Sequence, residues 1–428
     1  VLPDDGRHAP TRVKKGRDRI KGRVYEGLAG FKGHWMPSSK LAAVTSGDYV
    51  DQLTAIRGLA CLVVLFGHVV QVVSYAPFHG GVFATSAYYT VTDALNAEGA
   101  VLLFFVLSGC VLSLSLTSIP AFNRRNLFAF YIKRVCRLYP LLWLATLIAM
   151  ISVVAAQPIA GAGVFVPWLT HNLESPVTPA HTIGSLAGIW TKYDGPLWSL
   201  RVELIYSALF PFIYMLMRRP KLRGWVLVPL LVLACLPLQN PQYGLAYGFS
   251  FAIGALIPLL SKHASKPHAL IASLALIVLL YDRAQPVSGH IPDAVHNVVE
   301  TIASFVIVRY VFVSGSNVRL LSAPPVQWIG ERSFSVYLLH LPVFLMIFVA
   351  AQCAIGATPI LRHPALSDAV LGVATCAVTI ALSTLTYRYV ERPSHQAGRR
   401  FAARLTSVGA APEHACSGEL PLTGTSAL

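Results

Sequence analysis

The sequence predicts an all-α, polytopic transmembrane helix bundle of about ten spans, with both termini cytoplasmic. Three observations predict it. Hydrophobic residues make up 55% of the 428 positions and charged residues only 12%, about half the charge of an average soluble chain. The apolar surplus falls into runs of roughly twenty residues, the length that crosses a bilayer. Between those runs the basic residues alternate in density: 27 of the 34 Lys and Arg fall in segments that this layout places inside, and a twenty-eighth, Arg388, lies at the inner end of the last span, as the positive-inside rule requires. A soluble globular enzyme, a disordered scaffold and a collagen-like fibre are excluded by the same numbers.

In chain order the spans are expected near 53–74, 99–118, 138–156, 197–217, 225–239, 244–260, 269–281, 298–313, 334–355 and 367–389. The first carries Arg57 and His68 within an otherwise apolar run. The second is almost wholly apolar, and the third follows the basic stretch Lys133 to Arg137. The fourth opens at Leu197, after Gly195 and Pro196. The fifth, with Pro229 and Pro237, and the seventh are short. A half-crossing segment at either place changes the count. The eighth holds Arg309, and the ninth holds His340 and Pro342. The outer connections hold only Lys192, Arg283 and Arg362. Residues 1–50 are polar and basic, without the apolar core of a secretory signal, and are expected to be a disordered cytoplasmic tail. Residues 51–393 form the transmembrane domain, and 394–428 a cytoplasmic C-terminal tail.

The net charge of +15 would suggest nucleic acid in a soluble domain. Here it sets topology, and no nucleic-acid partner is expected. None of the seven cysteines has CxxC spacing, so they read as small core residues rather than a disulfide or zinc framework. His79, His171 and His181 lack metal-ligand spacing, and no metal is assigned. The connection near 157–196, rich in Pro, Gly, Ser, Thr and His, is either a lid over the substrate or a passive loop.

An ionisable side chain in the bilayer costs several kcal/mol, so each one is a functional candidate. Arg57 and His68 are eleven residues apart, which leaves about 20° of offset on a helix and about 16 Å of rise. They share one face. Counting depth from the span ends places His68 in the outer half and Glu203, six residues below the fourth span's entrance, at a similar level. A carboxylate beside an imidazole raises its basicity, as general-base catalysis wants; a structural His–Glu pair is the alternative. Arg134 and Arg137, one turn apart, can grip one anion together, either the phosphates of a cytosolic cofactor or lipid headgroups. His340 is expected near the depth of Arg57. There it lines a cofactor tunnel or bonds a carbonyl freed by Pro342. Arg201 and Arg309 are expected to snorkel to a boundary.

Six segments in order resemble the acyltransferase-3 family of ten-helix membrane O-acyltransferases. They are Arg57-x10-His68, Phe104 to Gly109, Arg134-Val-Cys-Arg137, Trp198-Ser199-Leu200-x-x-Glu203, Gly330 to Pro342, and Glu391-Arg392-Pro393. The resemblance spans about Asp51 to Pro393. It implies transfer of an acyl group, usually acetyl, from acyl-CoA in the cytosol to a hydroxyl on an extracytoplasmic glycan or small molecule. No bound cofactor is implied; acetyl-CoA or another acyl-CoA is the donor substrate. By position, His68 would be the base or transient acyl carrier, Arg134 and Arg137 would hold CoA phosphates, and Arg57 would line the donor path. Trp198, Ser199 and Glu203 would shape the acceptor side. Arg201 stands where the family more often has a small residue. Some members carry a further hydrolase-like domain, which the roughly 35 residues after Pro393 are not expected to supply. The setting implied is a bacterial cytoplasmic membrane. Two other readings stay open: a transporter using the Arg57–His68 stripe as its path, and a structural partner in polysaccharide export.

Overall fold

The computed structural model describes residues 47–70, 95–119, 122–162, 173, 176–236, 244–260, 268–284, 291–314 and 318–407. The basic tail 1–46, His79, His171, Cys416, residues 408–428 and, within the connection near 157–196, residues 163–172 and 174–175 lie outside the described residues. All regular structure among the described residues is helical: α1 (Gly47–Val69), α2 (Ala97–Thr117), α3 (Arg124–Ala156), α4 (Pro179–Leu186), α5 (Leu197–Met217), α6 (Arg223–Cys235), α7 (Gly248–Leu259), α8 (Ala269–Tyr281), α9 (Asp293–Ser314), α10 (Pro324–Ile355), α11 (Ala357–Arg362), α12 (Pro364–Thr386) and α13 (Arg392–Ser407). A π-helical turn, Tyr387–Glu391, joins the last two. Seven helices, α1, α2, α3, α5, α9, α10 and α12, are long and apolar enough to cross a membrane. The other three expected spans are helices of 13, 12 and 13 residues, α6, α7 and α8.

The helices start where their sequences provide caps. Asn123 accepts from the Asn126 amide ahead of α3, and Asn96 from the Gly99 amide ahead of α2. Each satisfies an amide that lacks a helical partner. The boundaries depart from hydropathy at the basic ends. α3 begins 14 residues before the expected 138 and α10 ten before 334, because both helices continue as amphipathic, charged segments past the apolar window. At the chain's end, Pro393 does not stop the helix. The preceding π turn shifts the hydrogen-bond register where proline's missing amide would break it, and α13 runs to Ser407.

Two close seams hold the bundle. α1 and α10 run parallel: Gln327 donates to the Asp51 carbonyl, Arg57 to Ser333, and His68 faces His340. A Cβ on Gly58 would lie 2.7 Å from the Gly330 Cα, so only two glycines permit this approach. Gly109 and Gly254 make the second seam, each against the other helix's backbone at Phe251 and Val106. We call the end where α1, α3 and α10 begin the basic end. At the opposite end a charge network ties three helices: Arg283 pairs with Glu98 at 2.7 Å, Glu300 at 3.0 Å and Asp293 at 3.2 Å, and Asn96 donates to Glu300. Glu300 is fully buried, and these donors offset its desolvation.

Arg309 does not snorkel. It is 2% exposed and donates to the Ile257 carbonyl at 3.0 Å, among the last carbonyls of α7, which lack helical partners. Arg201 reaches the loop carbonyl of Ile189 at 3.1 Å.

Candidate functional site

The polar residues of the first span open two clusters along the α1/α10 seam, separated by about 16 Å of helix rise. Toward the basic end, the Arg57 guanidinium donates to the Ser333 hydroxyl at 2.8 Å and the Gly330 carbonyl at 3.2 Å. Arg137, Glu391 and Glu203 lie within its electrostatic reach. Arg134 Nη2 pairs with Glu203 Oε1 and donates to the Ser207 hydroxyl, both at 2.7 Å. Glu391, the last residue of the π turn, accepts from Ser335 Oγ at 2.7 Å. Arg137 makes no ion pair among the described residues.

This geometry corrects two sequence expectations. Glu203 does not accompany His68; it lies against Arg134 on α3. Counting residues from the span entrance misplaced it, because an ion pair between antiparallel helices sets the level at which a carboxylate is buried. His340 does not stand at the depth of Arg57 but beside His68, ring centroids 5.1 Å apart. The Pro342 explanation fails too: a proline at 342 frees the Leu338 carbonyl, four residues back, whereas His340 Nδ1 bonds the Tyr337 carbonyl at 2.6 Å.

The second cluster is built around those histidines. His68 Nδ1 lies 2.9 Å from the Val64 carbonyl. A carbonyl can only accept, so both Nδ1 atoms carry protons and each ring presents Nε2 as its basic nitrogen. His340 is 2% exposed, and its Nε2 is buried without a partner. One helical turn back, the Tyr337 hydroxyl meets Ser199 Oγ at 2.7 Å and the Pro196 carbonyl at 3.1 Å. Ser199 is thereby tied to the histidine pair through α10. Its neighbour Trp198 turns toward Tyr247 and Phe105, at centroid distances of 5.1 and 6.1 Å. These rings form an aromatic wall beside the polar cluster, toward the end opposite the basic one.

Sequence reasoning missed Asp194 and Tyr337 as site residues. Asp194 precedes α5, is 1% exposed, and neither carboxylate oxygen meets a hydrogen-bond donor. Burial holds its pKa well above the usual carboxylate range. Its backbone carbonyl accepts from the Leu197 amide at 3.1 Å, opening the first turn of α5. Both residues lie inside or beside motifs already singled out, and only the fold identifies their neighbours. His181 lies in α4 and stacks edge-on against Trp190 at 5.4 Å. Among the described residues no group of three or more His, Cys, Asp or Glu could hold a metal ion.

Comparison with known proteins gives a family match and one curated relative. A family described as an acyltransferase domain matches residues 50–388. YrhL of Bacillus subtilis (strain 168), provisionally named a peptidoglycan O-acetyltransferase, is 24% identical over 396 residues, covering 79% of this chain and 57% of its own. The chain thus spans little more than half the length of that relative. No solved structure matches.

Proposed function

Since the chain belongs to the acyltransferase family matched over residues 50–388, we propose that it is an integral-membrane O-acyltransferase. It takes an acyl group, acetyl by preference, from cytosolic acyl-CoA and passes it to a hydroxyl of a glycan on the far side of a bacterial cytoplasmic membrane. The basic end faces the cytosol in this reading. The relative's name supports a cell-wall glycan as acceptor.

The observation that carries the reading is the His68–His340 pair with both Nδ1 protons fixed on backbone carbonyls. Nε2 of His68 then has the lone pair an acyl transfer needs. As a base it takes the acceptor's proton while the hydroxyl oxygen attacks the thioester carbonyl and the thiolate of CoA leaves. As a carrier it attacks the thioester first, releases the thiolate, and yields the acyl group to the hydroxyl. Either route needs a donor long enough to bridge the rise from Arg57 to His68, which the extended arm of an acyl-CoA provides. Arg57, Arg134 and Arg137 then face its phosphates. Glu203 acts on the donor side by holding Arg134, and His340 belongs with the chemistry instead of the phosphates. Trp198, Ser199 and Tyr337 border the acceptor.

The test is mass spectrometry of acyl esters on wall and surface glycans and secreted metabolites, in a deletion strain complemented with wild type, His68→Ala or empty vector. His68→Ala is expected to insert normally and lose about 10²–10⁴-fold of its turnover. Ester levels equal to wild type in that variant overturn the role of His68. No acyl difference in any fraction, with solute uptake into liposomes, overturns the enzyme reading in favour of transport.

A further inference from the structure

The family match ends at residue 388, yet α13 continues to Ser407 and packs along α3. Its Gly398 is buried against Cys136: a Cβ there would meet the Cys136 Cβ at 2.6 Å. Only glycine lets the two helices approach this closely. The contact brings two basic rows together. Lys133 and Arg137 are four apart on α3, and His395 and Arg399 are four apart on α13, so each pair shares a helix face. His395 lies within electrostatic reach of Arg137, Arg399, Arg57 and Arg134, and Lys133 within reach of Arg399.

Four arginines therefore gather around His395, and Lys133 joins them through Arg399, against two carboxylates. Of those carboxylates, Glu203 is engaged by Arg134, while Glu391 accepts from Ser335 and lies within reach of Arg57, Arg137 and Arg332. Lys133, Arg137 and Arg399 have no ion pair among the described residues. Like charges held together by packing cost free energy unless an anion joins them. The cluster is also graded: Arg57 and Arg137 are partly buried, whereas Arg399 is exposed.

We propose that α13 completes a two-part phosphate site for the donor: Arg57 and Arg137 take a diphosphate, while Arg399 and Lys133, at the mouth, take a separate phosphate monoester on the same nucleotide. His395 stands between the two parts. The ligand class is a nucleotide with a 5′-diphosphate and an additional ribose phosphate. This rests on the acyl-CoA reading above and adds to it the recognition of the second phosphate by a helix outside the matched domain.

The experiment measures binding of adenosine 3′-phosphate 5′-diphosphate (3′-phospho-ADP, the nucleotide moiety of CoA) and of ADP to the full chain in zwitterionic nanodiscs. Wild type is expected to prefer 3′-phospho-ADP by about tenfold or more, as a charge-assisted contact would give. Arg399→Gln should erase that preference and keep ADP affinity within about twofold, which also shows that the variant is folded. Arg137→Gln should weaken both ligands. A preference that survives in Arg399→Gln overturns the assignment to α13 while leaving the donor reading intact. Wild type binding neither ligand overturns both. A third arm adds phosphatidylglycerol to the discs. Charge effects of Arg399→Gln seen only there, with no change in nucleotide preference, make the cluster a lipid-headgroup shelf and also overturn the proposal.

Discussion

Asp194 sits beside the proposed acceptor residues with both carboxylate oxygens buried and no donor to either. An unpaired ionised carboxylate is costly in such a place, which is why burial moves its pKa well upward. The sign of the pH effect follows. The folded state holds the proton more tightly than the unfolded state, so the cost is absent below the unfolded carboxyl value of about 3.9 and grows as pH rises toward the folded one. Asp194→Asn removes the charge and should raise the thermal midpoint at pH 8, by an amount equivalent to about 1 kcal/mol or more, with the gain shrinking near pH 4.5. A gain of the same size at both pH values would mean that packing, not ionisation, is responsible. The residues of the two clusters differ in how far the sequence reveals them. Arg57 and His68 announce themselves as ionisable positions on one apolar helix, and their shared face is simple helix geometry. The partners of Glu203 and His340 depend on the relative register of helices 69 and 272 residues apart, which periodicity within one helix does not contain.

At the scale of elements, the α1/α10 seam couples both clusters to one crossing. Without Gly58 and Gly330 the backbones would separate, and the Arg57–Ser333 contact and the His68–His340 pair would open together. Gly58→Ala places a methyl against backbone that has no rotamer to yield, so it should destabilise by about 1–3 kcal/mol and reduce acyl transfer. Gly224→Ala, where nothing lies within 4 Å, should do neither. Thermal midpoints and turnover of the two variants decide it, and a harmless Gly58→Ala would remove the seam from the argument. The helices themselves were legible because long apolar runs force the backbone to satisfy its own hydrogen bonds. Their charged extensions were not. Hydropathy reports the part of a helix immersed in lipid, and nothing in Glu391-Arg392-Pro393 signals the π turn that absorbs the proline.

For the whole molecule, the open question of crossing number is narrowed by the two ends. α5 finishes at the basic end, since Arg134 and Tyr131, early in α3, bond Glu203 and Ala208 in turn. α8 finishes at the opposite end, where the Leu279 carbonyl accepts from Asn96 and Arg283 pairs with Glu98. An odd number of crossings must separate them, one or three. α6, α7 and α8 are each about 20 Å long or less, short of a roughly 30 Å core, which by itself favours one. Yet α8 exposes Leu270, Ile271, Leu274, Leu276, Ile277 and Val278, a surface that belongs in lipid, and α6 exposes Trp225, Val228 and Val232. Lys262 and Lys266 follow α7, where the positive-inside rule wants them if all three cross. Short helices can span by local thinning of the bilayer, at fractions of a kcal/mol per Å. The three-crossing layout therefore predicts that, in a cysteine-free background, Asn240→Cys and Lys192→Cys react with a membrane-impermeant maleimide from the outside. His263→Cys and Arg319→Cys should react only after the cytosolic face is opened. If Asn240→Cys and His263→Cys are labelled from the same face, α6–α8 cross once, and the bundle has eight spans.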